Sequence, residues 1–308
     1  MRESSNPVMR GVVRSNQPSG YAGFGAQYPG QGPAGSATMG AQQGAVMYGQ
    51  QQSPYTQPGY APATTSRPIT IDDVVTKTAM TLGVLIAVAA ATYFAIAGRG
   101  ADLLDAERAS SQASLAMPLL AVGGIGGFVL VLIATFGRKQ DNPAIVLSYA
   151  AFEGLFVGSI SFVFANWTVA DNVSAGAMIG QAVVGTLGVF VGMLVVYKVG
   201  AIRVTPRFTR MLMAGLFGVV ALMLLNLVLS LFGVDMGIRS GGPIAIIFSL
   251  VCIALAAFSF LIDFDSADQL IRAGAPSKAA WGIALGLTVT LVWLYVEILR
   301  LLSYLNSD

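Results

Sequence analysis

Seven apolar stretches of bilayer-spanning length decide what this chain can become. They lie at about 79–97, 115–136, 144–165, 175–197, 211–234, 243–262 and 279–305, each close to the roughly 20 residues that cross a hydrocarbon core. In lipid every backbone N–H and C=O must find its partner within the segment, so each stretch is expected to be a helix. The connections are short, which predicts an all-α polytopic membrane protein, a seven-helix bundle over residues 68–308. Charged residues make up only 10% of the chain, against about a quarter in soluble domains.

Lys and Arg set the expected orientation. With the N-terminus inside, the inner segments hold thirteen: Arg2, Arg10, Arg14, Arg67, Lys77, Arg138, Lys139, Lys198, Arg203, Arg207, Arg210, Arg272 and Lys278. The outer loops hold three, Arg99, Arg108 and Arg239, while Arg300 lies within the last stretch. The expectation is N-inside and C-outside. Dropping one span would scramble the asymmetry downstream.

Residues 1–67 are a Gly/Gln/Tyr/Pro-rich stretch of low complexity. Too few apolar side chains are present to offset the entropy of ordering, so a disordered cytoplasmic tail is expected. Its repeated Tyr residues could instead make weak multivalent contacts. No short apolar core precedes a cleavage site, so no signal peptide is expected. Thr70 and Asp73 have capping-box spacing, which starts a helix near Ile71.

Composition also removes whole classes of chemistry. There is no histidine and one cysteine, Cys252, which excludes His-ligated zinc, a Ser-His-Asp triad and a disulfide framework. The net charge of +2 is too small and dispersed for a nucleic-acid partner. An enzyme is not expected, although paired Asp residues leave intramembrane aspartyl chemistry formally open. No cofactor is expected. Gly123 and Gly127, Gly176 and Gly180, and Gly188 and Gly192 have the spacing that lets helices approach closely, read as packing within the chain. Asn226 and Gln181 are read as interhelical hydrogen-bond partners.

Ionisable groups inside spans are costly and read as functional candidates. Glu153 stands near mid-span in AAFEGLF without a cation within one helical turn. It must be protonated, paired across helices or facing a water-filled cavity. Asp263, Asp265 and Asp268 lie where the sixth stretch ends. If that helix runs to Arg272, Asp265 and Asp268 share a face, Asp263 points elsewhere, and Asp268 has an i,i+4 partner in Arg272. Glu297 has Arg300 at i,i+3, with Arg300 free to snorkel outward. Carboxylates at staggered depths, the Asp group inner, Glu153 central and Glu297 outer, can ligate a hard cation such as Ca²⁺ or relay protons. Glu153, Asp263, Asp265 and Glu297 are therefore the expected ion or proton pathway, gated by carboxylate protonation.

At these residues the chain resembles the Bax inhibitor-1/YccA family. The sixth-span FDSADQLI is similar to the family's aromatic-Asp-Thr/Ser pattern, and the seventh-span WLYVEILRLL to its LYLD-type motif. The opening SSNPV with its Gly/Gln-rich tail, and NPAIVLSYAAFEGLFVG, resemble the actinobacterial branch. The resemblance covers residues 70–306 and implies six helices around a central seventh in the bacterial cell membrane, with a pH-sensitive Ca²⁺ leak in some members. It also implies an acid pair on the last two helices, here Asp265 and Glu297, able to hold Ca²⁺, and a latching Arg on the second, here Arg138. Family members are linked to cell-death suppression and to membrane-protease quality control. A non-conducting regulator docking a membrane protease or stress-response partner through its tail is the alternative reading to a channel.

Two features depart from the family pattern. The seventh-span acid is Glu rather than Asp, and 297 − 265 = 32 residues separate the pair. The sequence places the hairpin turn at Gly274 to Pro276. From Ala275, Asp265 is ten residues away and Glu297 twenty-two, a mismatch of about 18 Å at helical rise. Either the loop extends to Trp281, or the two acids do not meet and Glu153 bridges them.

Overall fold

Seven helices emerge from the pattern, in a computed structural model that describes residues 67–98, 105–167 and 175–306. They are α1 (Ile71–Gly98), α2 (Asp105–Phe136), α3 (Pro143–Trp167), α4 (Ala175–Lys198), α5 (Pro206–Leu231), α6 (Pro243–Arg272) and α7 (Ala280–Leu305), with a 3₁₀ turn at Ser277–Ala279. All seven carry a window long and apolar enough to cross a membrane. The expected disordered tail falls, apart from Arg67, outside the described residues.

Local chemistry sets the helix ends. Thr70 N–H donates to Asp73 Oδ2 at 3.1 Å, and Asp73 N–H returns a bond to Thr70 Oγ1 at 3.3 Å, the reciprocal box that satisfies two orphan donors. Pro143, Pro206 and Pro243 each open a helix, where the missing N–H costs nothing. Asn142 Oδ1 and Thr205 Oγ1 accept from Ala144 N and Phe208 N at 2.9 and 3.2 Å. Gly233, with φ of 77°, stops α5 three residues before the apolar stretch ends. In contrast, α6 runs ten residues past Ile262, which keeps all three aspartates on a helix.

The seventh helix is the centre. In its apolar window 72% is buried, against 11% in α4 and in α5, and it packs on α6, α1, α4 and α3. The other six do not ring it evenly. α2 lies chiefly on α3, and α5 chiefly on α6.

Glycine decides which helices touch. A Cβ on Gly123 would collide with the Phe156 backbone N, and on Gly158 with the Ala89 carbonyl. These positions draw α2 and α1 onto α3. Gly176, Gly180, Gly188 and Gly192 have open space where a Cβ would stand, so the packing expected of them within the chain is not made. Gln181 is likewise exposed on α4. Asn226 accepts from Met236 N at 3.2 Å, holding the α5–α6 loop rather than a neighbouring helix.

Candidate functional site

The α6–α7 hairpin is fastened from three sides. Ala273 to Pro276 turn through Gly274, whose φ of 63° needs a glycine-like backbone. The segment before α1 is laid against this turn: Ile69 N donates to Ala275 O at 2.8 Å and Ser277 N to Arg67 O at 3.0 Å. Ile69 is 3% exposed. Lys77 Nζ donates to Ser277 O at 2.5 Å, and Lys278 pairs with Asp141 at 2.7 Å. The Lys278 ammonium holds the Asp141 carboxyl below its ordinary range.

That turn fixes what faces Asp263. Counting thirteen residues back from Pro276 gives 263, and thirteen on from Ser277 gives 290. Thr290 Oγ1 donates to Asp263 Oδ2 at 2.8 Å. Asp263 lines a cavity of about 480 Å³ shared with Thr135, Arg138, Gln140, Asp141, Ser266, Gly282 and Gly286. These residues come from the end of α2, the α2–α3 loop, α6 and α7, and the cavity sits at the Arg67 end of the bundle. Arg138 holds a φ of 52°, uncommon for a non-glycine residue, and reaches the cavity as an exposed side chain. Among the described residues no ion pair joins it to Asp263.

Glu153 stands at the same depth. The Asp141–Lys278 pair levels the start of α3 with that of α7, and both 153 − 141 and 290 − 278 equal 12 residues, about 18 Å at helical rise. Asp263 and Glu153 are therefore not staggered as the sequence implied. Glu153 is half-buried and points at α2, where a Cβ on Gly127 would lie 2.5 Å from its Oε2. A hydrogen bond to it is absent among the described residues, so it bridges no other acid.

Asp265 faces another way. Tyr197 Oη lies 3.5 Å from its Oδ1, and Gln269 Nε2 donates to its Oδ2 at 2.6 Å, so it looks towards α4. Asp268 pairs with Arg272 at 2.8 Å, both partly solvent-exposed.

Glu297 belongs to the opposite end. Arg300 Nη1 donates to its Oε1 at 2.6 Å, with side-chain exposures of 10% and 2% for Arg and Glu. Ser249 Oγ on α6 donates to Oε2 at 3.2 Å, and the guanidinium lies 5.9 Å from the Phe164 ring centre. Arg300 does not snorkel outward; the pair is closed inside the bundle.

The acid pair implied by the resemblance is therefore not formed. Glu297 touches Ser249, and 265 − 249 = 16 residues, about 24 Å along α6. One ion cannot be held by both, which corrects the expectation of Ca²⁺ between Asp265 and Glu297. The hairpin turns where Gly274 and Pro276 placed it, and the residue brought opposite the α6 acid is Thr290. Thr290 and Ser249 escaped notice because a lone hydroxyl in an apolar run carries no signal. Symmetry about the turn would have found the first.

A family model described as Bax inhibitor 1 like matches residues 6–307. Among curated proteins none matches the chain.

Proposed function

The chain belongs to the Bax inhibitor 1-like family, and on that premise we propose that this integral membrane protein is a pH-sensitive leak for Ca²⁺ and similar cations. The observation that carries this reading is Asp263 on the wall of the 480 Å³ cavity at the Arg67 end, with Thr290 as its partner on the central helix. A hard cation entering there meets carboxylate and hydroxyl oxygens, the donors it prefers. Arg138 at the rim opposes entry and acts as the latch. Glu153, at the same depth on α3 and facing α2, is the second carrier of charge or protons. Titration of either carboxyl switches the attraction off, which is the source of the pH dependence.

The Glu297–Arg300 pair is the far barrier, since passage requires it to part. With the thirteen inner cations as guide, Asp263 faces the cytoplasm and the pair faces outward. Asp265 lies off this route.

The test is Ca²⁺ flux into liposomes bearing the purified full chain, between about pH 6 and pH 8. Asp263→Asn is expected to bring flux to the level of empty liposomes, Glu153→Gln to shift its pH profile, and Asp265→Asn to leave it unchanged. No flux above empty liposomes with folded protein overturns the leak. It would favour a non-conducting regulator that binds a membrane protease or stress-response partner, a role that removing residues 1–66 should abolish. The truncation must spare Arg67, whose carbonyl holds Ser277.

A further inference from the structure

Besides the Asp263 cavity at one end, the bundle has a second, apolar opening on its side. α1 packs chiefly on α3 and α7, and α4 on α7, α6 and α3, and between α1 and α4 lies a groove of about 460 Å³. Along α1 it runs from Leu82 to Phe94 and along α4 from Gly176 to Leu187. Twelve residues of α1 make it about 18 Å long at helical rise, from mid-bilayer towards the end away from Arg67.

The groove is dry in character. Among the described residues it is lined by no Asp, Glu, Lys or Arg. Its floor carries the hydroxyls of Ser161 and Tyr295, which are 2.7 Å apart. Ser161 spends its proton on Val157 O at 2.5 Å, so Tyr295 donates to Ser161. Thr186 likewise donates to Ala182 O at 2.8 Å. The protons of Ser161, Tyr295 and Thr186 are thus spent inside the protein, and among the lining hydroxyls that of Tyr93 alone has no hydrogen-bond partner among the described residues, so an apolar occupant leaves the internal bonds intact.

We infer that this groove is a binding site for one acyl chain of a bilayer phospholipid, reaching the central helix α7. The occupant follows from three facts. The groove's rim is continuous with the lipid-facing surface, where Ile86 is 62%, Phe94 69% and Val183 43% exposed. Its long axis follows the helices, as an acyl chain does. Its volume is within the range of pockets that enclose a small molecule, about 300–1,000 Å³. The site is independent of ion permeation, so the two readings fail separately. Through it the bilayer touches Leu291, Val292 and Tyr295, on the most buried of the seven helices. Tyr295 is two residues from Glu297.

The experiment places the full chain in phosphatidylglycerol vesicles containing a phospholipid with a diazirine at one acyl terminus, and maps photoadducts by mass spectrometry. Adducts are expected on Leu291 or Val292, besides lipid-facing Val184, which is 71% exposed. Unlabelled phospholipid should compete the α7 adducts saturably and dilute those on Val184 only in proportion. Gly176→Leu, at a position with open space, and Val183→Trp fill the groove. Each should cut α7 labelling relative to Val184 about tenfold, or about 1.4 kcal/mol of binding. Absence of α7 adducts in the wild type, unsaturable competition, or unchanged labelling in both filled variants would overturn the site. Labelling by a diazirine fatty acid but not by the phospholipid would overturn its source.

Discussion

Breaking the Glu297–Arg300 pair should cost far more than its i,i+3 spacing implies. An exposed helical pair of this kind is worth about 0.3–0.5 kcal/mol. Here the two side chains are 2% and 10% exposed at 2.6 Å separation, so removing one partner strands a charge away from water, at about 3–5 kcal/mol. Arg300→Met keeps the aliphatic stem and leaves Glu297 with Ser249 alone, so it should lie at the upper end. Glu297→Gln leaves the guanidinium its Phe164 ring, which offsets about 1–2 kcal/mol, so it should lie lower. The double variant removes both charges, and such replacements are often close to neutral. The two single losses should therefore not add: with the double variant near neutral, the coupling approaches their sum, about 8 kcal/mol in magnitude. Reversible unfolding in mixed detergent micelles, followed by far-ultraviolet circular dichroism, measures all four corners of the cycle. Single losses that add to within about 0.5 kcal/mol, or an Arg300→Met cost below about 1 kcal/mol, would refute the closed buried pair.

Two smaller predictions use the same unfolding measurement. Gly123→Ala drives a methyl into the Phe156 backbone N and should cost about 1–3 kcal/mol, whereas Gly188→Ala meets open space and should be neutral or stabilising by up to about 1 kcal/mol. Asp141→Asn should cost under about 1 kcal/mol, because the Lys278 pair is 63% and 36% exposed and screened. Its sign follows from the lowered folded value. The contribution is fully present above the unfolded carboxyl's pKa of about 3.9 and disappears as pH falls through the lower folded value, so wild type and variant should converge in strong acid.

The seven helices were readable because lipid leaves the backbone no choice: an apolar stretch of that length must bond to itself. The same holds for residues whose partners are local. Thr70 and Asp73 close their box, Asp268 finds Arg272, and Glu297 finds Arg300, all within one turn of helix. What the chain could not show is which faces meet. The α4 glycines have the same spacing as those of α2, yet only α2 uses its own to approach a neighbour, because spacing repeats on any helix while a partner exists on one side. Asp263 and Asp265 are two residues apart, which on a helix sends them in nearly opposite directions. Only the register of α6 against α7, set by the turn at Pro276 and clasped by Ile69, gives Asp263 the cavity and Thr290, and turns Asp265 towards Tyr197. The sequence determined that acids would lie in the membrane. The packing decided which one stands at an opening.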